Sequence, residues 1–354
     1  MDPQSPSSPS PELTESTLPV SQTATRKLLA IGDLHGDYFR LLRHLRENDL
    51  LLPDTLAWNP QADRVDLVLI GDYVDWRGEP LEDPLDQSPG DPEAGPRRIL
   101  ELIMHLEKEL ADLRETEEGF DSSLYALLGN HDEMMLEAVG VFDFLPVEQL
   151  QDLLARARNF AAIKRHLADH GLNSEQIERV MRFLNWYVQG GEATANGFGG
   201  LPAWKEAMEG QLGRFLRKHL RLGVVVDHRL FAHTIPDQRK FWRPIEEIMA
   251  LPEDEFQAAR ESFLWSRKIW GFDYYTGMRT SPFSEKEMEE LLSRMMVRGA
   301  VVGHTPLSRG PDPIVAYGGR IVNLDVHGSP GAYALVEEYV PSEHGLRAPL
   351  RSPH

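Results

Sequence analysis

The 354-residue chain contains no cysteine. Disulfides, thiolate nucleophiles and sulfur-ligated zinc are excluded by that alone. Metal binding would fall to His, Asp and Asn, which suit harder or borderline ions such as manganese, iron or zinc. No run approaches the roughly 18 apolar residues of a membrane span. The N-terminus lacks the basic start and apolar core of a secretory signal, so a cytoplasmic protein is expected. Basic residues are also in deficit: 37 Lys and Arg stand against 56 Asp and Glu, a net charge of −19. Such a field repels phosphate backbones, so no nucleic-acid partner is expected. An anionic substrate would need a local cluster of cations. What is present is globular in kind, with 41% hydrophobic and 26% charged residues.

Residues 1–25 are rich in Pro, Ser and Thr and are expected to be a disordered tail. The domain is expected over 26–345, with 346–354 as a second tail. Tyr38 to Asn48 carries Phe39, Leu42 and Leu45 at helical spacing, and Arg97 to Leu113 reads as a second helix. Residues 79–96 are expected to form an irregular acidic loop. A helical insertion is expected over about 134–222. Within it, Asn173 and Gln176 look like a cap before the stripe Ile177, Val180, Met181 and Leu184. Gly190 to Gly200 reads as a glycine-rich break and Trp204 to Leu220 as one helix. Gly223 to Ala232 suggests a hairpin turning near Asp227 and His228. Arg320 to Asp325 and Ala332 to Tyr339 suggest a final hairpin. The pattern is mixed α/β with a helical cap.

Five short apolar runs end in polar residues able to bind metal. Leu28-Leu29-Ala30-Ile31 leads to Gly32-Asp33-Leu34-His35-Gly36-Asp37. Leu67-Val68-Leu69-Ile70 leads to Gly71-Asp72-Tyr73-Val74-Asp75. Leu124 to Leu128 leads to Gly129-Asn130-His131-Asp132. Leu230-Phe231-Ala232 leads to His233, and Ala300-Val301-Val302 to Gly303-His304. Buried strands ending this way deliver ligands to one sheet edge. Asp33 and His35, two apart in an extended segment, project the same way and could share an ion. Asp72 could bridge two ions roughly 3.5–4 Å apart. Asn130 offers a neutral oxygen, and His233 and His304 complete the set.

In this form and order the motifs resemble the calcineurin-like metallophosphoesterase superfamily. They look most like its phosphoprotein-phosphatase branch, including the bacterial and Shewanella-like types. The resemblance runs from about residue 28 to 337. It implies a two-sheet β-sandwich flanked by helices, with two divalent ions at the strand ends, manganese first and iron or zinc as alternatives. It implies Asp33, His35 and Asp72 on one ion, and Asp72, Asn130, His233 and His304 on the other. Two such cations acidify a water, which then attacks phosphorus as hydroxide. His131 would protonate the leaving oxygen and Asp75 would orient His131. Phe263-Leu264-Trp265-Ser266-Arg267 resembles a Leu-Trp-x-Arg segment of related bacterial phosphatases, which makes Arg267 a phosphate clamp beside Asn130.

Three departures bear on specificity. Trp76 separates Asp75 from Arg77, where the family reads Asp-Arg-Gly, so either Trp76 or Arg77 faces the phosphate. His233-Thr234-Ile235 replaces the usual His-Gly-Gly. Thr305-Pro306 follows His304 in place of a second histidine, which leaves the first ion fewer protein ligands. Asp325 and His327 are read as structural and His228 as solvent-facing. The expected activity is hydrolysis of phosphate monoesters, on phosphoserine or phosphothreonine or on small phosphate esters. Hydrolysis of dinucleoside polyphosphates is the alternative, and a non-catalytic metal-binding scaffold a lesser one.

Overall fold

In the computed structural model, residues 25–75, 94–154, 159–273, 276–307, 312–326 and 334–341 are described. Trp76, Arg77 and His327 lie outside the described residues, as do most of the acidic loop and the two expected tails.

The strands are organised by alternation. Along β1 (Arg26–Ile31), Leu28 and Ala30 face one way and Leu29 and Ile31 the other. Leu28 and Ala30 join Val68, Val224, Phe231, Val301 and Leu324 in a core between two sheets. Leu29 and Ile31 join a larger core shared with the helices, among them Leu41, Leu45, Ile99 and Ile103. Strands buried on both faces read as unbroken apolar runs, which is why the ligand-bearing strands stood out.

After β1 come α1 (Tyr38–Glu47), β2 (Val65–Leu69), α2 (Gly95–Thr116) and β3 (Ser123–Ala126). Next is a helical excursion: α3 (Asn130–Ala138), α4 (Val147–Leu154), α5 (Phe160–Asp169), α6 (Ser174–Trp186), α7 (Glu192–Gly197), α8 (Leu201–Glu209) and α9 (Gln211–His219). Then follow β4 (Gly223–Val226), β5 (Arg229–Ala232), α10 (Ile245–Met249), α11 (Glu253–Trp265), α12 (Glu285–Arg294), β6 (Gly299–Val302), β7 (Ile314–Ala316), β8 (Ile321–Asn323) and β9 (Ala334–Tyr339). One sheet has the order β3-β2-β1-β9, the other β4-β5-β6-β8-β7. β1, β2 and β3 are mutually parallel, with Leu29 opposite Leu67 and Leu67 opposite Leu124, so their C-terminal ends share one edge. β5 and β6 are parallel in the second sheet. The two-sheet sandwich with flanking helices agrees with the expected fold class.

The helical excursion leaves and rejoins the sheet at neighbouring points. Leu128 N–H donates to Arg221 O at 2.7 Å, and Arg221 N–H donates to Ala126 O at 3.0 Å. The capping box at α6 is present: Asn173 Oδ1 accepts from Gln176 N–H, and Gln176 Oε1 accepts from Asn173 N–H. Val180 and Leu184 of its stripe are fully buried, each contributing about 1.5–3 kcal/mol. Asp227 and His228 both have positive φ, 46° and 56°, as a two-residue I′ turn between β4 and β5 requires. No helix among the described residues is long and apolar enough to cross a membrane.

Three sequence expectations are corrected. β8 and β9 do not pair as a hairpin: β8 lies in the second sheet and β9 runs antiparallel to β1 in the first. Two short alternating strands carry no signal for which sheet each joins. The break expected over Gly190–Gly200 is only partial: the backbone kinks at Gly190, whose φ is 123°, but α7 occupies Glu192–Gly197 within the stretch. The helix expected over 204–220 is two helices, parted at Gly210.

Candidate active site

The loops after β1, β2 and β6 place their polar residues by holding the backbone in an unusual region. His35, Asp72, Asp75 and His304 have φ of 43°, 50°, 65° and 69°. Left-handed backbone in non-glycine residues costs roughly 1–2 kcal/mol each, and such strain concentrates at functional sites. The loops hold one another in place: Leu34 and His35 N–H both donate to Asp72 O, and Gly36 N–H donates to Tyr73 O. Two glycines permit the close approach. A Cβ on Gly129 would lie 2.2 Å from Asp72 Oδ1, and one on Gly303 would lie 1.9 Å from Asp33 Oδ1.

The side chains meet where the edges of the two sheets join. Asp72 Oδ1 accepts His131 N–H at 2.9 Å, at the N-terminus of α3. Its Oδ2 lies 3.7 Å from His35 Nε2 and 3.5 Å from His233 Nε2. Asp72 therefore belongs to two clusters, one with His35 and His131 and one with His233 and His304, each with its donor atoms within 4.8 Å of one another. Asn130 Oδ1 lies 2.9 Å from His233 Nε2 and 2.8 Å from His304 Nδ1. Asp33 Oδ2 accepts His304 N–H at 2.9 Å, which places it beside the same group. All six expected ligands are thus brought together, and all but the half-buried His35 are buried.

The donor chemistry suits cations. His233 Nδ1 faces Ile70 O at 3.1 Å, so this nitrogen carries the hydrogen and Nε2 presents a lone pair. That lone pair faces the carbonyl oxygen of Asn130, an acceptor against an acceptor. Burial pushes His233 and His304 below the ordinary imidazole range, His304 strongly, which keeps both rings neutral and able to offer a lone pair. Burial alone would raise Asp72, but His233, His131, His35 and His304 together hold it below the ordinary carboxylate range. A buried carboxylate among converging lone pairs is the environment that divalent ions complete.

His131 Nδ1 lies 2.6 Å from Asp75 Oδ2, the contact expected of a proton donor and its orienting carboxylate. Arg267 Nε is 3.2 Å from His304 Nε2, so the guanidinium reaches the cluster. Arg77 cannot be placed beside it, lying outside the described residues. Asp325 is buried, and its N–H donates to Asn323 Oδ1 at 2.9 Å within its own segment.

Four residues escaped the sequence reading. Asp132 accepts Tyr73 N–H through Oδ1 and Gly129 N–H through Oδ2, joining two ligand loops. Its place inside the Gly-Asn-His-Asp motif was the available signal. Thr234, met as a departure from His-Gly-Gly, has a structural purpose. Its N–H donates to Phe263 O at 3.0 Å and its hydroxyl to Ser266 O at 2.7 Å. It ties the turn carrying Arg267 to the His233 loop. Trp186 and Thr194 both contact Asp75 from the helical excursion, and nothing in their local sequence signals it.

A family profile described as calcineurin-like phosphoesterase matches residues 26–308. Among solved structures, a cold-active protein tyrosine phosphatase overlaps with 17% identity and a TM-score of 0.47, covering 88% of this chain and 73% of its own. A protein serine/threonine phosphatase from Saccharomyces cerevisiae, with similarity to human phosphatase PP5, overlaps with 12% identity and a TM-score of 0.36. That overlap covers 90% of this chain and 81% of the yeast structure. No curated protein matches.

Proposed function

The chain belongs to the calcineurin-like phosphoesterase family, and from that premise we propose a dinuclear-metal phosphatase that cleaves phosphate monoesters. The observation that carries the reading is Asp72 Oδ2, which lies within reach of His35 on one side and His233 on the other. One carboxylate serving two donor clusters is what a two-ion site needs. Asp33, His35 and Asp72 would hold the first ion. Asp72, Asn130, His233 and His304 would hold the second. Manganese is the proposed metal, in keeping with a donor set of carboxylate, amide and imidazole without sulfur. Bound there, two divalent cations supply an acidified water and offset the charge of the phosphate.

The remaining work belongs to the chain's own groups. Arg267 binds phosphate oxygens with its fork of N–H donors, alongside Asn130. His131 keeps its Nδ1 hydrogen against Asp75 Oδ2 and delivers the Nε2 proton to the departing alkoxide. Proton donation of this kind contributes about 10²–10⁴-fold. Asp75 fixes the ring and balances its charge. The catalytic domain is proposed over residues 26–345, with the helical stretch 134–222 acting on access to the site. The substrate class is proposed as phosphoserine or phosphothreonine in proteins, or small phosphate esters.

Purified protein loaded with manganese is expected to hydrolyse p-nitrophenyl phosphate, to bind two ions per chain by elemental analysis, and to stop on addition of a chelator. Silence with every divalent ion would overturn the reading. A panel of phosphopeptides, small phosphate esters and dinucleoside polyphosphates then separates monoester from pyrophosphate cleavage.

A further inference from the structure

We infer that Thr194 and Trp186, on the helical excursion, are positioning residues that set the Asp75 carboxylate against His131; the inference rests on the proton-donor reading above.

The geometry accounts for every hydrogen. Asp75 N–H donates to Thr194 Oγ1 at 2.9 Å, and Thr194 Oγ1 lies 2.9 Å from Asp75 Oδ1. A hydroxyl has a single hydrogen, and having accepted from the backbone it gives that hydrogen to Oδ1. Trp186 Nε1, which only donates, reaches the same oxygen at 3.2 Å. Oδ1 is therefore engaged by two donors, and Oδ2 is left to His131 Nδ1 at 2.6 Å. The carboxylate torsion of aspartate is broad and two-fold, so nothing intrinsic fixes its plane. The two donors fix it. The same Thr194 oxygen holds the backbone of Asp75 in its left-handed conformation.

The donors are themselves locked. Trp186 stacks on Trp204 of α8 with ring centroids 4.5 Å apart and planes at 25°. Trp186, Thr194 and Trp204 are fully buried. The backbone kinks between the two donors at Gly190, whose φ is 123°. A Cβ there would lie 2.8 Å from Asp75 Cβ, so the excursion rests directly on the dyad.

The test uses the full-length, manganese-loaded enzyme and substrates with good and poor leaving groups. Thr194→Val keeps the shape and removes the hydroxyl. On phenyl phosphate its kcat is expected to fall about 10-fold or more, as a weakened proton donor requires, with p-nitrophenyl phosphate much less affected. KM and bound metal should stay unchanged, and Thr194→Ser should restore turnover. In ¹⁵N-histidine NMR of the diamagnetic, zinc-loaded protein the His131 Nδ1–H signal should shift in Thr194→Val. On a His131→Ala background, Thr194→Val should add no further loss. Equal losses on both substrates, or loss of metal, would assign Thr194 to folding alone and overturn the inference. Should Thr194→Val not fold, Trp186→Phe keeps the ring stack and removes one donor, with the same selective loss expected. His131→Ala separates the two readings. If its loss ignores leaving group, the proton-donor reading fails. If its loss is selective while the Thr194 and Trp186 variants match wild type, only the positioning inference fails.

Discussion

The sheet edge and the helical excursion meet at Asp75, and they position chemistry by different means. At the sheet edge the backbone does the placing. Parallel strands end together, four polar residues sit in left-handed conformations, and the glycines beside them leave no room for a Cβ. In the excursion, side-chain packing does the placing. Trp186 and Thr194 reach Asp75 because an aromatic stack and a kink at Gly190 bring them there. The difference teaches that damage to the first region should remove metal, whereas damage to the Trp186 and Thr194 contacts of the second should spare metal and slow proton transfer.

The largest effect is expected at the sheet edge itself. Asp72→Ala removes the carboxylate common to both clusters. Bound metal should drop on elemental analysis, and turnover should fall about 10³-fold or more, given several kcal/mol of charge stabilisation. Retention of two ions would break the comparison. His131→Ala comes next, with a loss of about 10²-fold or more on alkyl phosphates and metal retained. Thr234→Val should act more weakly. It cuts the tie to Ser266 O that steadies the Arg267 turn, and the loss of one hydrogen bond, about 1 kcal/mol, should raise KM roughly five-fold with kcat little changed.

The smallest expected effect lies outside both regions and serves as a control. His44 in α1 is buried, its Nε2 has no hydrogen-bond partner among the described residues, and burial with Arg40 and Arg43 pushes it down to about 4. Its folded value lies below the unfolded one, so the unfolded chain takes up the proton first. Stability should therefore be full above about pH 6.5 and fall as pH drops toward 4. Between pH 7.5 and 5.5 the loss is about 1 kcal/mol. Glu133, pushed up to about 7 by burial, acts with the opposite sign in the same window, so the check is the difference: in urea melts in chelator, wild type should lose this much more stability than His44→Leu. An unchanged slope in that variant would refute the assignment.

What the sequence made legible was local. Five buried strands wrote themselves as apolar runs, and each carried its polar residue immediately after it. The Asn173–Gln176 cap was equally contiguous. What it hid was non-local. The donors to Asp75 lie 111 and 119 residues away. Gly190 and Gly191 looked like a break because glycine usually weakens a helix. Here they are sites where Asp75 and the Trp186 ring approach too closely for any Cβ. Thr234 looked like a lost glycine pair, and only the fold shows that it ties down the Arg267 turn. The partition of β8 and β9 between sheets depends on which edges are free, a property of the whole assembly.

The bridge between Leu127 and Arg221 makes the excursion detachable in principle. Its two ends already sit side by side, so a different loop or helical hairpin could be spliced there without rethreading either sheet. Such a graft would inherit the proposed metal edge only if it began beyond Asp132, so that Asn130 and His131 at the start of α3 are kept. To inherit the proton donor as well, it would have to bring its own hydroxyl and indole to Asp75. A new roof would therefore have to keep the Asn130–Asp132 turn and supply two hydrogen-bond donors at one oxygen of Asp75.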